Sequence, residues 1–143
     1  MATRHQVREA VVSILYAHDI GNSEIEKFED EILEDKKIRN KQKEFALELI
    51  NGVLSSLDEI DGEIDKHLKE WNIKEIGHIE RAILRLGAYE LLKTEIDEAV
   101  AINESIELSK TLCNDNAPKF INGVLGSIQK DKRKNQDEVV CST

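Results

Sequence analysis

A single proline and only seven glycines interrupt 143 residues, and this scarcity of breakers constrains the chain more than any other feature. With abundant Glu, Lys, Ile, Leu and Ala, it favours helices over a sheet. Apolar spacing agrees. Val7, Ala10, Val11, Ile14 and Leu15 fall at i, i+3, i+4, i+7 and i+8, one face of a helix over about residues 3–19. Gly21-Asn22 ends it, and Ser23 with Glu26 three residues on forms a capping-box pattern for a short acidic helix to about residue 34. Residues 40–68 read as one long helix, or two joined near 57–61, with Trp71-Asn72 in the connection that follows. Residues 74–93 form the most apolar helix and the predicted centre of the fold, and Gly87 within it suggests a close helix–helix approach. Asp97 caps a helix over 98–112, and Cys113 to Asn116 is a loop by composition. Pro118 suits the first turn of a last helix ending near Gln129. The expectation is an all-α fold, with 1–129 as one domain and 130–143 as a charged tail.

A chain of this length buries enough surface to fold without a metal or a disulfide. No apolar run approaches the roughly 20 residues that span a membrane, and the N-terminus has no apolar signal region. Cys113 and Cys141 form no framework, which fits a reducing, cytoplasmic compartment. His5, His18, His67 and His78 are dispersed, and none lies at metal-ligand spacing from another or from a cysteine. No phosphate loop, nucleophile elbow or Cys/His dyad is legible. Neither a catalytic residue, a cofactor nor a metal is therefore expected.

The net charge of −9 argues against a protein that binds nucleic acid unaided. The average hides a skew. Residues 1–8 carry Arg4, His5 and Arg8 without an acid, while 24–35 hold seven acids and one lysine. Cations at a helix start oppose the macrodipole, which leaves two readings open: an ordinary solvated first turn, or a reason outside the helix. The last helix adds a second feature. Ile121, Val124, Leu125 and Ile128 form its buried stripe, Phe120 points about 90° from the middle of that stripe, and Lys119 points nearly opposite it. Backbone N–H groups and Lys119 suit a phosphate, and a partly exposed Phe120 ring suits stacking on an unpaired base. The other reading is that Phe120 packs against a neighbouring helix, and the residues alone leave both open.

Four blocks then resemble the NusB family of transcription antitermination factors. They are Arg8 to Leu15-Tyr16, Glu80-Arg81-Ala82-Ile83-Leu84-Arg85-Leu86-Gly87-Ala88-Tyr89-Glu90-Leu91, Val100-Ala101-Ile102-Asn103-Glu104-Ser105-Ile106-Glu107-Leu108-Ser109-Lys110, and Lys119-Phe120-Ile121-Asn122-Gly123-Val124-Leu125. The resemblance implies about seven helices in two small subdomains packed across each other. It implies a heterodimer with the ribosomal protein NusE that reads boxA, a single-stranded element in leader RNA of ribosomal operons, and then joins RNA polymerase. Carried over by position, the RNA-facing residues are Arg4, His5, Arg8, Arg85, Lys119 and Phe120, and the partner-facing ones are Tyr16, Glu80 and Glu75. Asn116 stands where the family often has an acid, and Asn103 and Asn122 look structural. The arginine-rich start is thinner than in the family's richest versions. Three to four phosphate contacts would weaken binding roughly 30-fold between 50 and 200 mM salt. The competing expectation is a helical protein–protein module or homodimer without RNA. The RNA reading expects one cationic and aromatic surface where the first and last helices come near each other.

Overall fold

Thr3 starts the first helix by a reciprocal cap. Its hydroxyl accepts from the Gln6 N–H, and the Gln6 side chain accepts from the Thr3 N–H. The computed structural model of the chain describes residues 2–21, 24–70 and 72–141, with the side chains of all of these except Glu26 and 136–141. All regular structure among the described residues is helical: α1 (Arg4–Asp19), α2 (Ile25–Asp35), α3 (Lys41–Ser55), α4 (Leu57–Asp65), α5 (His78–Lys93), α6 (Glu98–Leu112) and α7 (Ala117–Cys141). None of these helices is long and apolar enough to cross a membrane.

The expected central helix is central. α5 packs against α1, α3, α4, α6 and α7, and its Ile83, Leu84, Leu86 and Leu91 are no more than 1% exposed. Each such side chain contributes about 1.5–3 kcal/mol by leaving water. α1 to α3 gather on one side of α5, and α4, α6 and α7 on the other, so α5 joins two small helical groups. Gly87 is where α6 and α7 close on it. A Cβ there would sit 2.6 Å from the Ser105 Oγ and 2.9 Å from a Leu125 methyl.

Of the two readings open for 40–68 the pair of helices holds, parting at Ser56. Two boundaries differ from the sequence reading. α5 begins at His78, four residues later than the periodicity suggests. The carbonyls of Ile73, Lys74 and Ile76 accept from the Arg81 guanidinium, which holds that stretch as a loop. The last helix continues to Cys141 instead of ending near Gln129. Residues just past 129 are docked: the Lys132 ammonium donates to the Leu91 carbonyl at 2.7 Å, and Lys132 and Arg133 both face Glu98. The cap expected at Asp97 and the loop expected over 113–116 are both present, the Asn114 side chain in that loop accepting from the Asn116 N–H. Ser23 and Trp71 lie outside the described residues.

Gly87→Val should lower stability by about 1–3 kcal/mol, since added volume in a closed helix contact forces neighbours off their rotamers. A thermal melt followed by circular dichroism measures it, and an unchanged midpoint would mean that α5 and α6 are not in close contact there.

Candidate functional site

The start of α7 keeps the geometry that its sequence suggests. Lys119 is exposed and Phe120 is half-buried at the edge of the core. The Phe120 ring is a wall between two hollows. One, of about 250 Å³, is lined on its other sides by Glu75, Ile76, Gly77, Glu80 and Asn116. The second, of about 440 Å³, is lined by Lys119, Gly123, His67, Lys69 and Glu70. The ring therefore separates an acidic hollow from one with a cationic rim. Backbone donors are fewer than expected. The Ala117 and Phe120 N–H groups already donate to Asn114 and Asn116 carbonyls, and Pro118 has none, which leaves Lys119.

The basic start divides. Arg4 is exposed, its guanidinium 5.2 Å from the centroid of the Phe45 ring. His5 is one-third exposed and its Nδ1 lies 2.9 Å from a Glu104 carboxylate oxygen. Arg8 must be reassigned. It is only 2% exposed, and its guanidinium grips Glu90 through two 2.9 Å hydrogen bonds in the core. That fork-to-fork pairing satisfies both charges away from water, so Arg8 is not presented at the surface. Glu90 is the outside reason for a cation that opposes the α1 dipole.

Arg85 must be reassigned too. It donates to both oxygens of Asp61 at 2.8 Å and to Asp19 at 3.2 Å, with 12% of its side chain exposed. A guanidinium shared between two carboxylates offers little to a phosphate. Asp19 also accepts from Arg81 at 2.8 Å and lies 2.9 Å from the His78 Nδ1. Burial pushes the Asp19 pKa up, but His78, Arg81 and Arg85 outweigh burial and hold it below its ordinary value. A depressed carboxylate stabilises the fold above its unfolded value and loses that contribution as pH falls through the folded one.

The partner-facing set is gathered near the start of α5. Glu80 and Glu75 share the first hollow, and Tyr16 meets the His78 ring edge-on at 6.3 Å. The Glu80 carboxylate lies over Gly77 and bonds the Cys113 thiol. Burial, with the Glu80 charge beside it, pushes that thiol up to about 11, so it stays protonated at neutral pH. Asn103 and Asn122, expected to brace helices, are exposed, and their side chains make no hydrogen bond among the described residues. Glu63, His67 and Asp131, which sequence spacing did not connect, bring their polar atoms within 4.8 Å of one another. Lys66 already engages Glu63 there.

The single groove expected between the first and last helices is instead two stations. Arg4 lies beside Tyr89, Thr94 and Ile96 at the C-terminal end of α5, and Phe120 lies beside Ile76, Gly77 and Glu80 at its N-terminal end. Glu80 and Tyr89 are about 14 Å apart along the helix axis at 1.5 Å per residue. Glu104 on α6, with His5 upon it, faces the start of α1.

Glu90→Ala should destabilise the fold by about 3–5 kcal/mol, because it strands Arg8 without a counter-charge. Chemical denaturation would report it, and a loss below 1 kcal/mol would show that Arg8 swings out to solvent.

The NusB family model matches residues 5–130. A transcription antitermination protein NusB from Nitratiruptor sp. is 61% identical over 131 residues, covering 92% of this chain and 94% of the relative. The protein of the same name from Wolinella succinogenes is 60% identical over 134 residues, covering 94% and 99%. Among solved structures, a chain in the crystal structure of antitermination factors NusB and NusE in complex with dsRNA superposes with a TM-score of 0.80 at 33% identity, covering 90% of this chain and 96% of that one. NusB of T. maritima gives 0.82 at 34% identity, covering 90% and 92%. With the family model spanning nearly all of α1 to α7 and relatives matched almost end to end, the chain belongs to the NusB family.

Proposed function

We propose that the chain acts in transcription antitermination in the cytoplasm by binding boxA-type single-stranded leader RNA together with ribosomal protein NusE, and reaches RNA polymerase only through that complex. It is an RNA-binding regulator and not an enzyme. The observation that carries this reading is the start of α7, where an exposed cation adjoins a half-open aromatic ring. A solved relative crystallised with NusE and RNA supports it.

The two hollows flanking Phe120 suggest how the work divides. On the Lys119 side the ring face and the ammonium receive a base and its phosphate. On the Glu80 side two carboxylates repel phosphate, so that hollow, with Tyr16 nearby, receives a protein surface. Arg4 and His5 take the strand further on. With Arg8 and Arg85 tied to carboxylates, two to three phosphate contacts remain, and affinity should fall only about 10-fold between 50 and 200 mM salt. An acidic chain with so few contacts needs NusE to bind tightly.

Phe120→Ala should weaken binding of boxA-like RNA by about 1–3 kcal/mol, the usual range for loss of one stacked base. Fluorescence anisotropy with NusE present measures it, with circular dichroism to check the fold. Unchanged affinity would remove Phe120 from the interface. A tight homodimer in sedimentation that ignores both RNA and NusE would overturn the whole proposal.

A further inference from the structure

The most concentrated positive charge in the molecule belongs to neither station and lies in the loop between α2 and α3 and the first turn of α3. Residues 36–43 carry Lys36, Lys37, Arg39, Lys41 and Lys43 with no acid, a quarter of the 20 Lys and Arg residues of the chain. Arg39 faces Glu34 at 2.9 Å and Lys43 faces Asp30 at 3.3 Å. Lys36, Lys37 and Lys41 are exposed and have no ion pair among the described residues.

The loop is held in place. Ile38 is 1% exposed and its N–H donates to the Leu33 carbonyl at 2.8 Å, which pins the middle of the loop to the core. Lys37 and Asn40 adopt positive φ, 60° and 58°, so the chain bends sharply on either side of that anchor. The result is a concave surface of about 600 Å³ lined by Lys37, Arg39, Asn40, Lys41 and Gln42. The start of α3 opens onto it, and Asn40 makes no side-chain cap there. The Gln42 side chain reaches the Ala2 carbonyl, which places this surface beside the Arg4 station.

We propose that this loop is a second, sequence-independent RNA site that takes backbone phosphates of the strand flanking the recognised element. The inference rests on the RNA reading above and extends it. Three features favour an RNA backbone over other anionic partners. They are a preorganised concavity lined by the unpaired Lys37 and Lys41 with unpaired Lys36 next to it in sequence, continuity with Arg4, and an otherwise acidic chain that offers no broad positive face to a membrane. Phosphate contacts fix register without reading sequence, so this site would add affinity but no base preference.

The test compares the full chain with its Lys36→Gln/Lys37→Gln/Lys41→Gln variant. The substituted side chains are exposed, and thermal melts should coincide. Three anisotropy probes are used with NusE present: the bare boxA-like element, the same element flanked by uridine tracts, and a uridine tract alone. The variant should bind the bare element as the parent does. On the flanked probe it should bind about 10-fold more weakly at moderate salt, with a log–log salt slope shallower by about 2, which is three contacts at 0.7 each. Equal losses on the bare and flanked probes, or an unchanged slope, would overturn the proposal. So would loss of NusE binding with the flanked-probe slope intact, which would assign the loop to a protein. If the parent ignores the bare element, the boxA reading fails by itself. The uridine tract still reports the loop, because its phosphate contacts require no particular sequence.

Discussion

α1 and α5 run antiparallel and are tied together by opposite charges at both ends. Arg8 of α1 is locked to Glu90 of α5, and Asp19 of α1 is locked to Arg81 and Arg85 of α5. The rest of the architecture depends on this double clamp. It joins the α1–α3 group to the α4–α7 group, and through Asp61 it fixes α4 as well. Apolar packing between two helices tolerates sliding; a bidentate guanidinium–carboxylate pair in the core does not, because a shift would leave charges buried and unpaired. The clamp therefore sets register as well as adhesion.

Register decides where the functional surface lies. Arg4 and His5 emerge one turn before the Arg8–Glu90 pair, and Tyr16 and Glu80 lie near the Asp19–Arg81 pair. Phe120 is placed by the same frame, since α7 docks on α5 and its ring closes against Ile76 and Glu80. Residues that resemble an RNA-binding set from sequence thus have two tasks. Arg8 and Arg85 hold the helices that display Arg4, His5, Lys119 and Phe120. Losing either frame arginine would unpair a carboxylate that holds those helices in register.

Much of this was legible in the sequence. Helical spacing located the buried faces of α1, α5 and α7, Asp97 and Pro118 marked helix starts, and Gly87 marked a close approach. The fate of Arg8 was harder. Its helical row continues through Val12 and Leu15, both buried, so the apolar stripe is wider than the five residues first counted. That was a readable warning. Its partner Glu90 lies 82 positions away, and no local rule pairs them. Arg85 has the same difficulty with Asp19 and Asp61. The late start of α5 is a tertiary effect of Arg81 on the preceding carbonyls. The continuation of α7 past Gln129 has contacts with Glu98 and Leu91 behind it that periodicity does not register. The basic run at 36–43 was plain in composition, yet the acidic stretch immediately before it dilutes the charge of any window that spans both.

Amide chemical shifts of the labelled chain, recorded with NusE while boxA-like RNA is added, test the two-station surface most directly. Shifts should concentrate at Arg4–His5 and around Asn116–Gly123, with Arg85 and Asp61 little changed. Strong perturbation at Arg85 and Asp61 with a silent α7 start would contradict this account and return the RNA to the helix junction.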